Sequence, residues 1–174
     1  MDLFEHAAET LRVCRTAGLT LATAESCTGG LIATALTEVP GSSDVVDRAY
    51  VTYSNTAKTQ MLGVKAGLIR TCGAVSENVA VAMAEGALGK AKVGVAVSVT
   101  GVAGPGGGSE EKPVGLVHIG CAVRTADGTH RTVAQRHLWR LIEPNADRVR
   151  IRALSARAAL LLVQDVVEGA SARP

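Results

Sequence analysis

Apolar and polar positions alternate along this chain in blocks whose period switches between that of a helix and that of a strand. An amphipathic stripe over residues 3–17 predicts a helix that ends at Gly18, and the apolar run 19–25 predicts a strand. The other predicted elements continue the alternation: helices over 29–38, 55–62, 76–91 and 146–168, strands over 45–54 and 93–100, and a hairpin of 114–124 with 129–138. This order predicts a single-domain, three-layer α/β/α sandwich with a mixed sheet.

Composition limits the classes of protein to which the chain can belong. It has 174 residues, of which 47% are apolar and 20% charged, as expected of one globular domain. A net charge of +2, with one Trp, two Tyr and one Phe, argues against nucleic-acid binding by a basic groove or by base stacking. No apolar run is as long as a membrane span and no signal peptide is apparent, so we expect a cytoplasmic protein without a membrane partner.

The cysteines give no sign of a metal site or a disulfide framework. The four of them form no CxxC pair and have no histidine at ligand spacing, which fits a reducing cytosol. Cys14 and Cys121 lie in apolar patterns and are expected to be core thiols.

A turn rich in Ser, Thr and Gly follows the first predicted strand. Ser26, Cys27, Thr28, Gly29 and Gly30 lie where that strand runs into a helix. Such a junction presents hydroxyls and free backbone N–H groups at the positive end of a helix, where they can hold an anion or an oxyanion. The alternative is that a hydroxyl of the turn simply caps the helix, and this motif alone favours the cap.

A second polar motif follows the next strand. Tyr53 ends the strand predicted over 45–54, and Lys58 lies in the first turns of the helix after it, which Ser54 or Asn55 is expected to cap. Ligand sites of parallel α/β sheets collect at the carboxyl ends of strands, so Ser26 and Lys58 could meet there. A lysine can activate a serine if its pKa falls from ~10.4 toward neutrality. The alternatives are a solvated lysine and a core tyrosine with its hydroxyl satisfied.

A Gly/Pro-rich segment, residues 101–113, follows the buried strand 93–100. Its glycines allow backbone amides to approach a ligand and to form nests that hold anions. The segment matches neither the P-loop nor a GxGxxG motif followed by a helix, which argues against an ATPase and a dinucleotide-binding fold. The alternative is a flexible loop, but long loops in compact domains tend to be functional.

Two arginines lie at the start of the last predicted helix. Arg148 and Arg152 are four residues apart and share a face, so together they could clamp a phosphate. Cations in a first helical turn oppose the helix dipole, a conflict that makes sense at an anion site. The alternative is a solvated basic edge.

The motifs occur in a characteristic order: TAESCTGG, VPGSS, VTYSNTAK, LGV, GAVSENVA, MAEGA, SVTGVAGPGGGSEEKPVG and ADRVRIRA. In this order they resemble the CinA C-terminal domain family of nicotinamide mononucleotide deamidases over about residues 4–167. The resemblance implies an α/β/α domain that hydrolyses the carboxamide of nicotinamide mononucleotide to nicotinate mononucleotide and ammonia, with no metal or cofactor. It also implies a stand-alone form, without the N-terminal domain that many members carry.

The resemblance assigns roles to residues of this chain. It implies a catalytic Ser26, with Lys58 and Tyr53 as its partners. The expected substrate-binding residues are Thr28, Gly29, Gly30, Asn55, Thr100, Gly101, Ala103, Gly104, Arg148 and Arg152. Ala146 stands where the family usually has glycine before Asp147, which leaves the phosphate contacts open.

The resulting hypothesis is acyl transfer, in which Ser26 attacks the amide while Lys58 accepts its proton. Backbone N–H groups of residues 28–30 or of 100–104 would hold the oxyanion. Two alternatives stay open: Cys27 as the nucleophile, and a pyridine-nucleotide-binding module without catalysis. The expected partners are the small-molecule substrate and further copies of the same chain.

Overall fold

Five strands form one mixed sheet in the order β2-β1-β3-β4-β5. The computed structural model describes residues 2–171, and of Ala170 and Ser171 only the backbone. The strands are β1 (Leu21–Glu25), β2 (Val46–Val51), β3 (Val95–Gly101), β4 (Leu116–Arg124) and β5 (His130–Leu138). β1 runs parallel to both β2 and β3, whereas β4 is antiparallel to β3 and to β5. The carboxyl ends of β1, β2 and β3 therefore lie together at one edge of the sheet.

Helices cover both faces of this sheet. They are α1 (Leu3–Thr16), α2 (Leu31–Thr37), α3 (Asn55–Leu62), α4 (Ala66–Cys72), α5 (Glu77–Ala91), α6 (Trp139–Ile142) and α7 (Arg148–Ser171), with a 3₁₀ turn over Ser42–Asp44. Helices α1, α2 and α7 pack together on one face, and α3, α4 and α5 pack together on the other. Each face has its own apolar cluster against the sheet.

The alternation of side chains along β3 shows how the two faces divide. Val97 and Val99 pack in the cluster beneath α1, α2 and α7, whereas Ala96 packs beneath α5. Strands β1 and β3 are buried along almost their whole length, which is typical of strands covered by helices on both faces. Within the described residues, no helix combines the length and apolar character needed to cross a membrane.

The predicted α/β/α sandwich with a mixed sheet is confirmed. Of the two caps expected for α3, Ser54 is the one that forms, since its hydroxyl accepts the N–H of Ala57. Ser76 caps α5 in the same way. The predicted bounds are too long for several strands, and Tyr53 lies two residues beyond the end of β2. Helices α4 and α6 were not predicted, because each buries a single residue, Ile69 and Trp139, and so shows no apolar period in the sequence.

Helix α5 approaches α3 closely because Gly86 has no side chain. A Cβ at this position would collide with the carbonyl oxygen of Leu62, at the end of α3. Gly89, one turn later on α5, faces open space. The two positions form a matched pair, because both lie in one helix and differ in what surrounds them.

We expect Gly86→Ala to lower the free energy of unfolding by about 1–3 kcal/mol, because the added methyl group forces α5 away from α3. Gly89→Ala is the control and should raise the same quantity by about 0.5–1 kcal/mol, because alanine loses less backbone entropy than glycine on folding. Urea denaturation followed by circular dichroism measures both values. Equal effects of the two substitutions would contradict the close packing of α3 and α5.

Candidate active site

The edge at which three strands end brings the predicted serine and lysine together. Ser26 directly follows β1, and Lys58 lies on α3, which follows β2. The Nζ atom of Lys58 is 3.0 Å from the Oγ atom of Ser26. Both side chains are buried, and Lys58 is only 1% exposed. Of the alternatives that the sequence left open, a solvated Lys58 is therefore wrong.

Helix α3 carries Lys58 on the face that packs against the sheet. The hydroxyl of Ser54 accepts the N–H of Ala57 and so begins the helix, while Gly63, at φ 74°, ends it in the left-handed conformation. Between them Lys58 and Leu62 are the buried residues, four positions apart on one stripe. The local sequence thus directs the lysine inward.

The three neighbours of the Lys58 amine can accept from an ammonium, and they also suit a neutral amine whose lone pair faces Ser26. Its Nζ donates to the carbonyl oxygens of Thr52 at 2.9 Å and Tyr53 at 3.5 Å, and Ser26 Oγ is its third neighbour. A carbonyl can only accept, so the two hydrogens of a neutral amine satisfy both carbonyls. The lone pair then remains for the hydroxyl proton of Ser26.

Burial also favours the neutral form of this amine. It lowers the pKa of Lys58 from the ordinary value, because a charged ammonium loses its hydration in the interior. None of the ion pairs formed by the described residues includes Lys58. No carboxylate therefore restores the charged state, and the amine can act as a base at lower pH than an exposed lysine.

The start of α2 is held by Glu25, the last residue of β1. Its fully buried carboxylate accepts the N–H groups of Gly30 at 3.0 Å, Ile32 at 3.1 Å and Ala33 at 2.9 Å, as well as the hydroxyl of Thr23 at 3.2 Å. These bonds satisfy donors that a helix start otherwise leaves open. The prediction of free N–H groups at this helix start is therefore wrong for these three.

The alternative that Ser26 or Thr28 caps α2 is also wrong. The N-cap residue is Gly30, at φ 96°, and no side chain of the cap residue bonds to the helix. The N–H of Ser26 bonds to the carbonyl of Val99, and that of Gly29 to the carbonyl of Ser26. Within the described residues, the N–H groups of Cys27 and Thr28 donate to no other residue, although that of Cys27 interacts with its own thiol. These two are the donors that the turn still offers.

Cys27 and Ser26 point to opposite sides of the sheet. The thiol of Cys27 lies in the apolar cluster beneath α1, α2 and α7, and burial raises its pKa to about 12. A thiol in this environment is a poor nucleophile. Cys14 and Cys121 are buried free thiols, as predicted. In the described part of the chain, no group of three His, Cys, Asp or Glu residues is placed to hold a metal ion.

The two arginines at the start of α7 reach different parts of the site. Arg148 donates to the carbonyl of Gly104 at 2.8 Å and to the hydroxyl of Tyr53 at 2.9 Å. Arg152 donates to the carbonyls of Cys27 at 3.1 Å and Thr28 at 2.7 Å. Neither arginine is a simple solvated edge, because each guanidinium joins α7 to a loop of the site.

Tyr53 contacts Lys58 through its backbone and Arg148 through its side chain. The residue is 61% exposed, so the core position that the sequence also allowed is wrong. The hydroxyl is not brought to Lys58, whose contact with this residue is the carbonyl oxygen. The tyrosine hydroxyl therefore lies beside Arg148 rather than beside Lys58.

The remaining predicted residues divide between the site and the core. Asn55 and Gly29 are exposed beside the pair, whereas Ala103 lies in the apolar cluster. Thr100 is buried and its hydroxyl donates to the carbonyl of Ala74, and Gly101 is the last residue of β3. A cleft of about 650 Å³ lies beside the glycine-rich loop and is lined in part by 105–110, but neither Ser26 nor Lys58 lines it.

Two contributors to the site were missed from the sequence. Glu25 is a carboxylate in a strand that is otherwise uncharged. A buried carboxylate requires hydrogen-bond partners, so its presence in this strand could have indicated contacts with nearby N–H groups. Thr52 contributes a carbonyl oxygen to Lys58, and a backbone atom leaves no trace in residue identity.

Comparison with known proteins identifies similar chains. The model of the CinA C-terminal domain family matches residues 4–167. A CinA-like protein from Chlorobium phaeobacteroides is 49% identical over 146 residues, which cover 84% of this chain and 34% of that protein. One from Chloroherpeton thalassium is 46% identical over 167 residues, which cover 96% of this chain and 38% of that protein. The chain thus spans about a third of the length of these curated relatives.

Solved structures are similar over nearly the whole chain. The competence/damage inducible protein CihA from Agrobacterium tumefaciens has a TM-score of 0.86 and 45% identity, and covers 97% of this chain and 96% of its own. The competence damage-inducible protein A (ComA) from Klebsiella pneumoniae has a TM-score of 0.87 and 32% identity, with 97% and 98% covered.

We expect a sulfonyl fluoride, a reagent that labels activated serines, to modify Ser26 at a rate that rises with pH. The free amine of Lys58 is the reactive form, so the rate should fall about tenfold per pH unit below its pKa. Because burial lowers that pKa, the midpoint should lie below 10.5, the ordinary lysine value. Mass spectrometry of the labelled peptide measures the rate. Labelling that is independent of pH, or unchanged in Lys58→Met, would contradict the assignment of Lys58 as the base.

Proposed function

This chain belongs to the CinA C-terminal domain family, and we propose that it is an amidohydrolase that converts nicotinamide mononucleotide to nicotinate mononucleotide and ammonia. The substrate is the one that the family resemblance implies. The observation that carries the reaction type is the 3.0 Å contact between Ser26 Oγ and the buried Lys58 Nζ. A serine beside a neutral lysine supports nucleophilic attack on a carbonyl carbon, with the amine as the base.

The first step forms a bond between Ser26 Oγ and the carboxamide carbon of the substrate. The hydroxyl proton passes to the lone pair of Lys58, which becomes an ammonium held by the carbonyls of Thr52 and Tyr53. Carbonyl oxygens stabilise this cation better than apolar neighbours would, which lowers the cost of charging a buried amine.

The negative charge that develops on the carboxamide oxygen needs donors close to Ser26. The N–H groups of Cys27 and Thr28 are suited to this role, because Glu25 occupies the N–H of Gly30 and Ser26 accepts that of Gly29. Of the two oxyanion sites that the sequence left open, this choice favours the turn. A pre-oriented donor pair of this kind contributes several kcal/mol, about 2.7–4 for one donor.

Collapse of the tetrahedral intermediate breaks the C–N bond. Lys58 returns its proton to the leaving nitrogen, so that ammonia departs and an acyl ester remains on Ser26. A water molecule then attacks the ester, Lys58 accepts its proton, and the same proton returns to Ser26 Oγ as nicotinate mononucleotide leaves. Tyr53, whose hydroxyl contacts Arg148 and not Lys58, is assigned to substrate contact rather than to proton relay.

Arg148 is the cation that we assign to the 5′-phosphate. It is exposed, and its guanidinium bridges the loop residue Gly104 to the hydroxyl of Tyr53, the residue whose carbonyl contacts Lys58. A guanidinium recognises phosphate with paired, charge-assisted hydrogen bonds. Arg152 is half-buried, and its contacts are with the backbone of the turn.

We expect Ser26→Ala to reduce release of ammonia from nicotinamide mononucleotide on the order of 10⁴-fold or more, because the nucleophile is lost. Cys27→Ala is the matched control on the neighbouring residue and should retain most of the activity, because its thiol faces the core. Lys58→Met should be as inactive as Ser26→Ala. An ammonia assay with the purified protein measures all three, with EDTA present and absent. The mechanism would be excluded by wild-type turnover in Ser26→Ala, or by a loss of activity in EDTA that added metal reverses. If the wild-type protein binds the nucleotide without turning it over, the chain is a binding module.

We expect Arg148→Ala to raise KM for nicotinamide mononucleotide by roughly ten- to a hundredfold, since a charge-assisted contact is worth about 1.5–3 kcal/mol. The preference for the mononucleotide over nicotinamide riboside, expressed as kcat/KM, should fall by a similar factor. Arg150→Ala is the control, because Arg150 is exposed on the same helix and pairs with Glu143. If Arg148→Ala leaves the preference unchanged, the phosphate is bound elsewhere.

A further inference from the structure

The turn that carries Ser26 is intrinsically loose and must be held by its surroundings. Gly29 and Gly30 both have positive φ, at 59° and 96°. Glycine populates many backbone conformations readily, so these two residues do not by themselves fix the path of the turn. The helix that follows, α2, has only seven residues, too few to be stable alone. The position of Ser26 Oγ relative to Lys58 therefore depends on tertiary contacts of the turn.

One end of the turn is held through its N–H groups. Glu25 precedes Ser26 directly. Its buried carboxylate accepts three N–H groups, one from Gly30 and two from the first turn of α2. Because successive side chains of a strand alternate, Glu25 faces α2 while Ser26 faces Lys58 on the other side. The carboxylate thus fixes the turn without occupying the side on which the reaction takes place.

The other end is held through its C=O groups. Nε and Nη2 of Arg152 donate to the carbonyls of Cys27 and Thr28, the two residues that follow Ser26. Nη2 lies so close to the backbone that a Cβ on Gly29 would be 3.5 Å from it. One guanidinium therefore spans two consecutive peptide units with two separate donors.

Because the peptide unit is planar, the contact of Arg152 with the C=O of Cys27 also sets the direction of the N–H of Thr28. The C=O of Cys27 and the N–H of Thr28 belong to one trans peptide unit and point in opposite directions. When Arg152 binds this C=O from α7, the N–H of Thr28 is turned away from Arg152. A charged donor on the C=O also polarises the N–H at the other end of the unit and strengthens it as a donor.

We propose that Arg152 is a positioning residue. It orients and polarises the N–H of Thr28 for the oxyanion, and it fixes the position of Ser26 Oγ relative to Lys58 Nζ. This inference deepens the proposed function and rests on it for the identity of the reaction. It differs from the phosphate-reading role that the sequence suggested for Arg152, because both of the donors that Arg152 uses are directed to backbone carbonyls.

Arg152→Lys is the decisive variant, since it keeps the charge but lacks the two-pronged donor geometry. We expect kcat to fall about 10- to 100-fold for nicotinamide mononucleotide and for nicotinamide riboside alike, with KM changed less than about twofold. Arg150→Lys, in the same helix and outside the site, should behave as wild type. A fall confined to the mononucleotide and expressed in KM would overturn the proposal in favour of phosphate binding, and wild-type kinetics would exclude any role.

Labelling of Ser26 by a sulfonyl fluoride separates this proposal from the choice of substrate. The labelling rate should fall in Arg152→Lys whether or not nicotinamide mononucleotide is turned over, because the reagent reports only the geometry of the serine. A wild-type protein that is labelled at Ser26 but releases no ammonia would refute the proposed substrate and leave the labelling comparison to decide on Arg152. Labelling of Arg152→Lys at the wild-type rate would then overturn the proposal.

Chemical rescue distinguishes positioning from a general loss of folding. Arg152→Ala should lose activity, and added ethylguanidinium should restore part of kcat by filling the vacated position. The thermal unfolding midpoint of each variant, followed by circular dichroism, identifies any loss that is caused by unfolding. A folded Arg152→Ala protein with unchanged kcat would also contradict the proposal.

Discussion

A buried amine without a carboxylate to balance it is the constraint on which the site depends. Lys58 reaches the interior because α3 directs it there, and its neighbours are two carbonyl oxygens and one hydroxyl. Burial penalises the ammonium form and so lowers the pKa of Lys58. The arrangement of β1, β2 and α3 holds this amine 3.0 Å from the hydroxyl of Ser26, which is the geometry on which the proposed acyl transfer rests.

On the other face of the sheet, charged side chains bind the backbone of the turn after β1 and of α2. Glu25 is a buried acceptor that satisfies N–H donors of α2, while Arg152 is a donor that satisfies carbonyls of the turn. Each charged side chain meets backbone dipoles of complementary sign, and neither needs an ionic partner. The charges of Glu25 and Arg152 are thus balanced mainly by backbone groups. These contacts leave the turn little conformational freedom.

The sequence predicts the features that residue identity encodes, and misses those that belong to the backbone. The periods of apolar residues predict the layers of the sandwich, and the carboxyl ends of parallel strands predict that Ser26 and Lys58 meet. The carbonyl of Thr52 and the orientation of the Cys27–Thr28 peptide have no counterpart in composition. The prediction that N–H groups at the start of α2 are free fails because the sequence shows a carboxylate at Glu25 but not that it folds back onto the first turn of the helix.

The close approach of α5 to α3 has a consequence for how the protein can be altered. Lys58 is in the same helix as Leu62, whose carbonyl oxygen is where a side chain on Gly86 would have to fit. Any side chain at position 86 would have to displace the end of the helix that carries Lys58. Position 86 is therefore a place from which a substitution on another helix can act on Lys58 without replacing it.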